Sequence, residues 1–235
     1  MNDKKCGLIA ALDVPAPDDA RSFLDRLGHA TEYIKIGPRL YALGGVPFVR
    51  ELISRGYKIF LDLKLHDIPN TVASAVEPLS QLGLWALTLH TSGGCEMMAR
   101  SVAARDRAGS ETKLLGITVL TSLGGELWED VHPGCDMGLA LVARAEAAER
   151  AGLDGIVCSP LDLDLLKGRA RKLMRVVPGI RAKRAGAEDQ ARVATAKEAA
   201  LAGATYVVVG RPILEAADPV AAAKDIIASL EEVSR

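Results

Sequence analysis

Along the chain, short runs of Val, Ile and Leu alternate with longer stretches in which alanines and leucines are interleaved with charged residues. Apolar runs of about four to eight residues, bounded by Gly, Pro or Asp, have the signature of strands; the longer mixed stretches have that of amphipathic helices. Strands are predicted at Leu8–Val14, Tyr33–Gly37, Lys58–Lys64, Ala86–His90, Lys113–Val119, Gly155–Ser159, Arg175–Pro178 and Tyr206–Val209. Between them, helices are predicted at Asp18–Leu27, Val46–Ser54, Thr71–Leu82, Glu96–Arg107, Leu139–Ala151 and Glu188–Ala202.

Strand then helix, repeated, argues for a parallel sheet with helices outside it. Ala148–Val157 and Ala199–Val208 are near copies of one unit: a helix end, a Gly suited to the left-handed cap, then a strand. Gln81–Thr88 is a looser copy. A chain of 235 residues with eight such units and no linker-like break fits a (β/α)8 TIM barrel in which 1–235 form a single domain. An open doubly wound sheet is the alternative.

Composition narrows the functional classes. Basic residues number 29 and acidic residues 30, so the net charge of −1 supplies no field for nucleic acid or an anionic membrane. Aromatics are 4%, too few for a base-stacking platform. Cys6, Cys95, Cys135 and Cys158 are scattered, which points to buried thiols in a reducing cytoplasm and to neither a zinc site nor a disulfide framework. The amino terminus does not read as a signal peptide, and no apolar run reaches the roughly 20 residues of a membrane helix. No H-E-x-x-H, dinucleotide-binding glycine motif or P-loop is found.

In a barrel, chemistry sits at the carboxyl ends of the strands. Asp13 falls there on the first strand, Lys35 on the second, and Asp62 and Lys64 on the third, with His66 and Asp67 following. Asp62 and Lys64 are two apart and should point to one side of a strand. A lone pair of this kind would read as structural. Four alternating charges in one mouth are poor cement, because desolvation offsets much of their attraction, so a functional site is the better reading. Acids and amines without a redox motif suit proton transfer and electrostatic stabilisation. After strands seven and eight come Pro178-Gly179-Ile180-Arg181 and Gly210-Arg211-Pro212. Loops in those two positions commonly cradle phosphate in barrels.

Taken in order, these segments resemble the orotidine 5'-phosphate decarboxylase family over essentially the whole chain. The resemblance is carried by "LDV" with Asp13, "IKIG" with Lys35, "FLDLKLHDIPNTV" with Asp62, Lys64 and Asp67, "HTSGG" from His90, "VLTS" from Val119, "PGIR" from Pro178 and "VVGRPI" from Val208. It implies a cofactor-free, metal-free decarboxylation of orotidine 5'-phosphate to UMP and CO2. Asp62 would lie against the substrate carboxylate and Lys64 would protonate C6. Lys35 and Asp13 would hold the ribose hydroxyls. Asp67, with Ile68 and Thr71, would act across a homodimer interface. Thr121 and Ser122 would lie near the pyrimidine; Gly210, Arg211 and Gln190 would grip the phosphate, with Arg181 nearby.

Two departures from the family pattern stand out. Lys183 and Arg184 add charge after "PGIR" and are expected in solvent, and Thr91 stands where Ala is commoner, with no catalytic consequence expected. Two other readings stay open: a Mg2+-dependent keto-sugar-phosphate lyase, which would share Asp13, Asp62, Lys64 and Asp67, and a non-enzymatic phosphate-binding barrel.

Overall fold

The apolar runs become eight strands: β1 (Gly7–Leu12), β2 (Tyr33–Ile36), β3 (Lys58–Leu65), β4 (Ala86–His90), β5 (Lys113–Ile117), β6 (Gly155–Val157), β7 (Met174–Val177) and β8 (Tyr206–Val209). In the computed structural model, which describes residues 5–124, 126–181 and 194–234, they pair in parallel and in sequential order as a closed barrel. Closure through β1 and β8 rules out the open sheet.

The helices are α1 (Pro17–Leu27), α2 (Pro38–Ser54), α3 (Pro69–Ser80), α4 (Gly94–Arg107), α5 (Glu126–Val131), α6 (Met137–Arg150), α7 (Ala196–Leu201), α8 (Arg211–Leu214) and α9 (Pro219–Glu231). Four of them, α1, α2, α3 and α9, begin on a proline. At that position the missing N–H would have no intrahelical partner and the fixed φ already suits a helix. Asp136 and Asp218 cap α6 and α9 by accepting from the amides of Leu139 and Ala221.

Several boundaries differ from the sequence reading. Helix α2 starts at Pro38, ahead of the predicted Val46, and is kinked where Gly45 takes φ 56° just before Pro47. Helices α5, α8 and α9 were not predicted, being short or following on without an intervening strand. Part of the predicted Glu188–Ala202 helix lies outside the described residues, as do Lys183, Arg184 and Gln190. Among the described residues, only 3-10 and turn structure, beginning at Pro160–Asp162, links β6 to β7. The thiols were expected to be buried, yet Cys95 and Cys135 are exposed, and only Cys158 is fully enclosed; all four are free.

Strand alternation sorts side chains into two cores. Leu8, Ala10, Leu12, Ile34, Ile36, Ile59 and Leu61 face the helices. The opposite set, Ile9, Ala11, Phe60, Ala86, Leu115, Val176 and Val208, fills the barrel interior. The interior is floored by aromatic rings: Trp85 lies 5.0 Å from Tyr33 and 4.9 Å from Tyr206, and Phe60 lies 6.1 Å from Trp85. Four of the chain's nine Phe, Trp and Tyr residues are thus spent on one plug. One step of two residues above this interior layer, the same parity delivers Asp13, Lys35, Asp62 and Thr88 on four consecutive strand ends. The packed interior is therefore the platform on which the mouth rests.

Phe60 sits directly beneath Asp62 along β3 and is 1% exposed. Phe60→Ala should cost about 3–5 kcal/mol of stability, because the closed barrel cannot collapse into the cavity. Urea denaturation with an unchanged m-value would measure it.

Candidate active site

The mouth is organised around one carboxylate. Asp62, 8% exposed, accepts from Lys64 Nζ at 2.7 Å on Oδ2 and from the Thr88 hydroxyl at 2.9 Å on Oδ1. Lys35 Nζ stands 3.7 Å from Asp62 Oδ2 and 3.3 Å from Asp13 Oδ1. The result is a chain of alternating charge, Asp13–Lys35–Asp62–Lys64, running from β1 to β3. Each acid has an amine partner, which the buried Asp62 requires, while Asp13 closes the chain at the solvent edge.

Simple strand alternation does not by itself produce the Asp62–Lys64 contact. Between the pairs Leu61↔Leu87 and Leu65↔Leu89, β3 advances four residues while β4 advances two, so β3 bulges. Within the bulge Lys64 adopts φ 52°, a left-handed conformation that costs a side-chain-bearing residue about 1–2 kcal/mol. Thr88 holds it there: its hydroxyl oxygen accepts from the Lys64 amide at 2.8 Å while its O–H donates to Asp62. One fully buried hydroxyl thus fixes the backbone of the amine and the side chain of the acid. Thr88 was missed in the sequence. Its only signal there is a polar residue at an inward position of an otherwise apolar strand.

His90, at the end of β4, stacks on His66 with ring centroids 5.1 Å apart. Burial, above all, holds the His90 pKa down at about 4; the neighbouring His66, Lys64 and Arg144 act the same way and Asp62 opposes them. His90 therefore presents a neutral ring at the mouth.

The remaining expected residues divide. Gly210 borders the array: a methyl group there would stand 3.5 Å from Asp13 Oδ2. Arg211 and Arg181 are exposed just beyond the adjacent strands β8 and β7. Ile180 bridges Ala194, and the Arg181 amide donates to the Ala194 carbonyl at 3.2 Å. Thr121 and Ser122 lie exposed in the turn after β5. Asp67 is not drawn into the array of its own chain; its Oδ1 accepts from the adjacent Ile68 amide. Ile68 is 67% exposed, and Thr71 is exposed beside it on α3. Thr91 is buried and donates to the Ile117 carbonyl at 2.8 Å, tying the β4 loop to β5. Gly116 makes room for it, since a Cβ there would come within 2.6 Å of Thr91 Cγ2. Among the described residues no group of three or more His, Cys, Asp or Glu is placed to hold a metal ion, and no helix is long and apolar enough to cross a membrane.

Comparison with known proteins converges on one family. The family model described as Orotidine 5'-phosphate decarboxylase / HUMPS family matches residues 7–226. An orotidine 5'-phosphate decarboxylase of Opitutus terrae is 46% identical over 227 residues, covering 96% of this chain and 99% of the relative. One from Vibrio atlanticus is 40% identical, covering 98% and 100%. The crystal structure of orotidine 5'-phosphate decarboxylase from Lactobacillus acidophilus superposes with a TM-score of 0.85 at 34% identity, covering 96% of this chain and 99% of that one.

Two outcomes follow from the geometry. Thr88→Val leaves the Lys64 amide and one Asp62 oxygen unsatisfied and should destabilise by about 1–3 kcal/mol, whereas Thr88→Ser should be nearly neutral; chemical denaturation would compare them. For His90, an NMR titration of the ring should give a midpoint at about 4. Because this folded-state value lies below the ordinary 6.5, the unfolded chain takes up the proton first. Stability carried by the neutral ring is complete above about 6.5 and is lost as pH falls through about 4. His90→Gln should therefore lose less stability than the parent over that interval.

Proposed function

Because the chain belongs to the orotidine 5'-phosphate decarboxylase / HUMPS family, we propose that it converts orotidine 5'-phosphate to UMP and CO2 in pyrimidine biosynthesis, with the array at the mouth as its catalytic centre. The family and the named relatives make it a carboxy-lyase. The observation that carries the reading is Lys64, held in a left-handed bulge with its ammonium 2.7 Å from Asp62. Strain retained at a charged residue in a mouth is the mark of a functional constraint.

In this mechanism the substrate carboxylate lies against Asp62. Two like charges about 4 Å apart repel by roughly 4 kcal/mol at an effective dielectric near 20. The most demanding enzymic reactions need barriers lowered by about 23 kcal/mol, so repulsion is a minor contributor. The larger share falls to Lys64. As the bond from C6 to the carboxyl carbon breaks, CO2 leaves and its electron pair remains on C6. The Lys64 ammonium stabilises that charge and then gives C6 its proton; the neutral amine regains one from solvent. Lys35 and Asp13 hold the ribose hydroxyls, and Thr121 and Ser122 face the pyrimidine. Gly210 and Arg211, with Gln190 and Arg181, take the phosphate, whose remote binding energy helps close the site and exclude water. No metal or cofactor takes part. The whole of 1–235 works as one barrel domain in the cytoplasm.

The same reading makes the protein a homodimer. Asp67, whose Oδ1 accepts from the amide of exposed Ile68, completes the site of the partner subunit.

Decarboxylation of orotidine 5'-phosphate, followed by pyrimidine absorbance in the presence of EDTA, tests the proposal. The wild type should turn over undiminished, and Lys64→Ala should fall by at least about 10²–10⁴-fold while remaining folded. Mixing inactive Lys64→Ala and Asp67→Asn chains should restore about a quarter of wild-type activity, because half the dimers then carry one intact site. Loss of turnover in EDTA would favour the metal-dependent lyase, and absence of rescue on mixing would remove the shared site.

A further inference from the structure

One cation outside the array lies on the core-facing stripe of a helix. Leu141, Ala145 and Ala148 are the buried face of α6, and Arg144 falls on that face, three residues after the first and four before the last. Its guanidinium donates through Nη1 to the Thr118 carbonyl at 2.8 Å, meets His132 Nε2 at 3.2 Å through Nη2, and lies 5.3 Å over the Trp128 ring. A guanidinium has donors only, so His132 must offer a lone pair at Nε2 and carry its proton on Nδ1. Trp128 packs on His132 at 4.1 Å and donates through Nε1 to the Cys135 carbonyl at 2.6 Å. Burial pushes the Arg144 guanidinium below its ordinary value. A cation has thus been desolvated in order to reach these three groups.

All three groups frame one loop. Thr118 directly precedes Val119-Leu120-Thr121-Ser122, and the chain then enters α5, which carries Trp128 and is followed directly by His132. The base of the loop is tied at successive positions. Thr91 donates to the Ile117 carbonyl, Arg144 to the Thr118 carbonyl, and both the amide and the hydroxyl of Thr118 donate to Val157. Val119 is buried, Leu123 closes a turn onto the Leu120 carbonyl, and Thr121 and Ser122 stand exposed at its crest.

We propose that Arg144 is a positioning residue: bridging Thr118, His132 and Trp128, it clamps both ends of the loop after β5 and fixes Thr121 and Ser122 against the base of the substrate. This rests on the reading of Thr121 and Ser122 as pyrimidine contacts. A guanidinium suits this place because its fixed fork sends Nη1 and Nη2 to two separate acceptors while its delocalised charge lies over the indole.

Binding of UMP and of ribose 5-phosphate, which lacks the base, tests the clamp by calorimetry on wild type and Arg144→Leu, alongside kcat/KM for orotidine 5'-phosphate. Loss of loop positioning should weaken UMP and lower kcat/KM by about tenfold or more, with ribose 5-phosphate unchanged within about twofold. Equal weakening of both ligands would mean a general structural role and overturn the proposal, as would no change in either. His132→Phe, which keeps the ring on Trp128 and removes the acceptor, should shift UMP in the same direction; if Arg144→Leu fails to fold, this variant decides by the same comparison. Failure of the parent reading is distinguishable, since wild type alone would then not decarboxylate orotidine 5'-phosphate, and the clamp would fall with it.

Discussion

A buried carboxylate at the top of a closed barrel must be given partners, and the way Asp62 is given them organises the mouth. Its two oxygens take an ammonium and a hydroxyl, with a second ammonium close by. Removing any one partner would leave charge or a lone pair unmatched where solvent reaches poorly, and the penalty for that exceeds the worth of the bond itself. The constraint extends outward from there. Thr88 must be a hydroxyl at that height on β4, β3 must bulge to bring Lys64 round, and Lys35 must bridge Asp62 to Asp13 just after β1.

The strained Lys64 backbone persists because its surroundings over-determine it. Thr88 holds the amide, Asp62 holds the ammonium, and the strand resumes register at Leu65. The bulge inserts an even number of residues, so Leu61 and Leu65 both remain on the helix-facing side of the sheet. An odd number would have turned the following residues to the wrong face. Stability and chemistry are thereby layered: an aromatic floor and an aliphatic interior below, a charged layer above, both generated by one alternating pattern. The second set of ties, Thr91 on the last carbonyl of β5 and Arg144 on the Thr118 carbonyl just beyond it, extends the same logic from strands to loops, with side chains from the neighbouring β4 loop and α6 fixing a rim that the sheet no longer supports.

Much of this was legible in the chain. Periodicity marked the eight strands and the parallel sheet, since short apolar runs alternating with amphipathic helices are buried on both faces, but it left a closed barrel and an open doubly wound order both possible. Asp13, Lys35, Asp62 and Lys64 stood out because ionisable residues on apolar strands are conspicuous. Thr88 and Arg144 did not, because one hydroxyl in a strand and one arginine in a helix resemble ordinary composition until their partners are known. The thiols show the same limit: burial of Cys158 and exposure of Cys95 and Cys135 follow from which turn or helix face each occupies, not from residue type.

Alternation of side chains is a local property of the backbone, so the sequence alone determined that residues two apart, such as Phe60 and Asp62, share one face and that the charges fall late in their strands. Barrel closure, the bulge in β3 and the convergence of Arg144, His132 and Trp128 on Thr118 were decided only in the tertiary structure. Each depends on hydrogen bonds between segments distant in the chain, whose geometry exists only once the strands have paired around the ring.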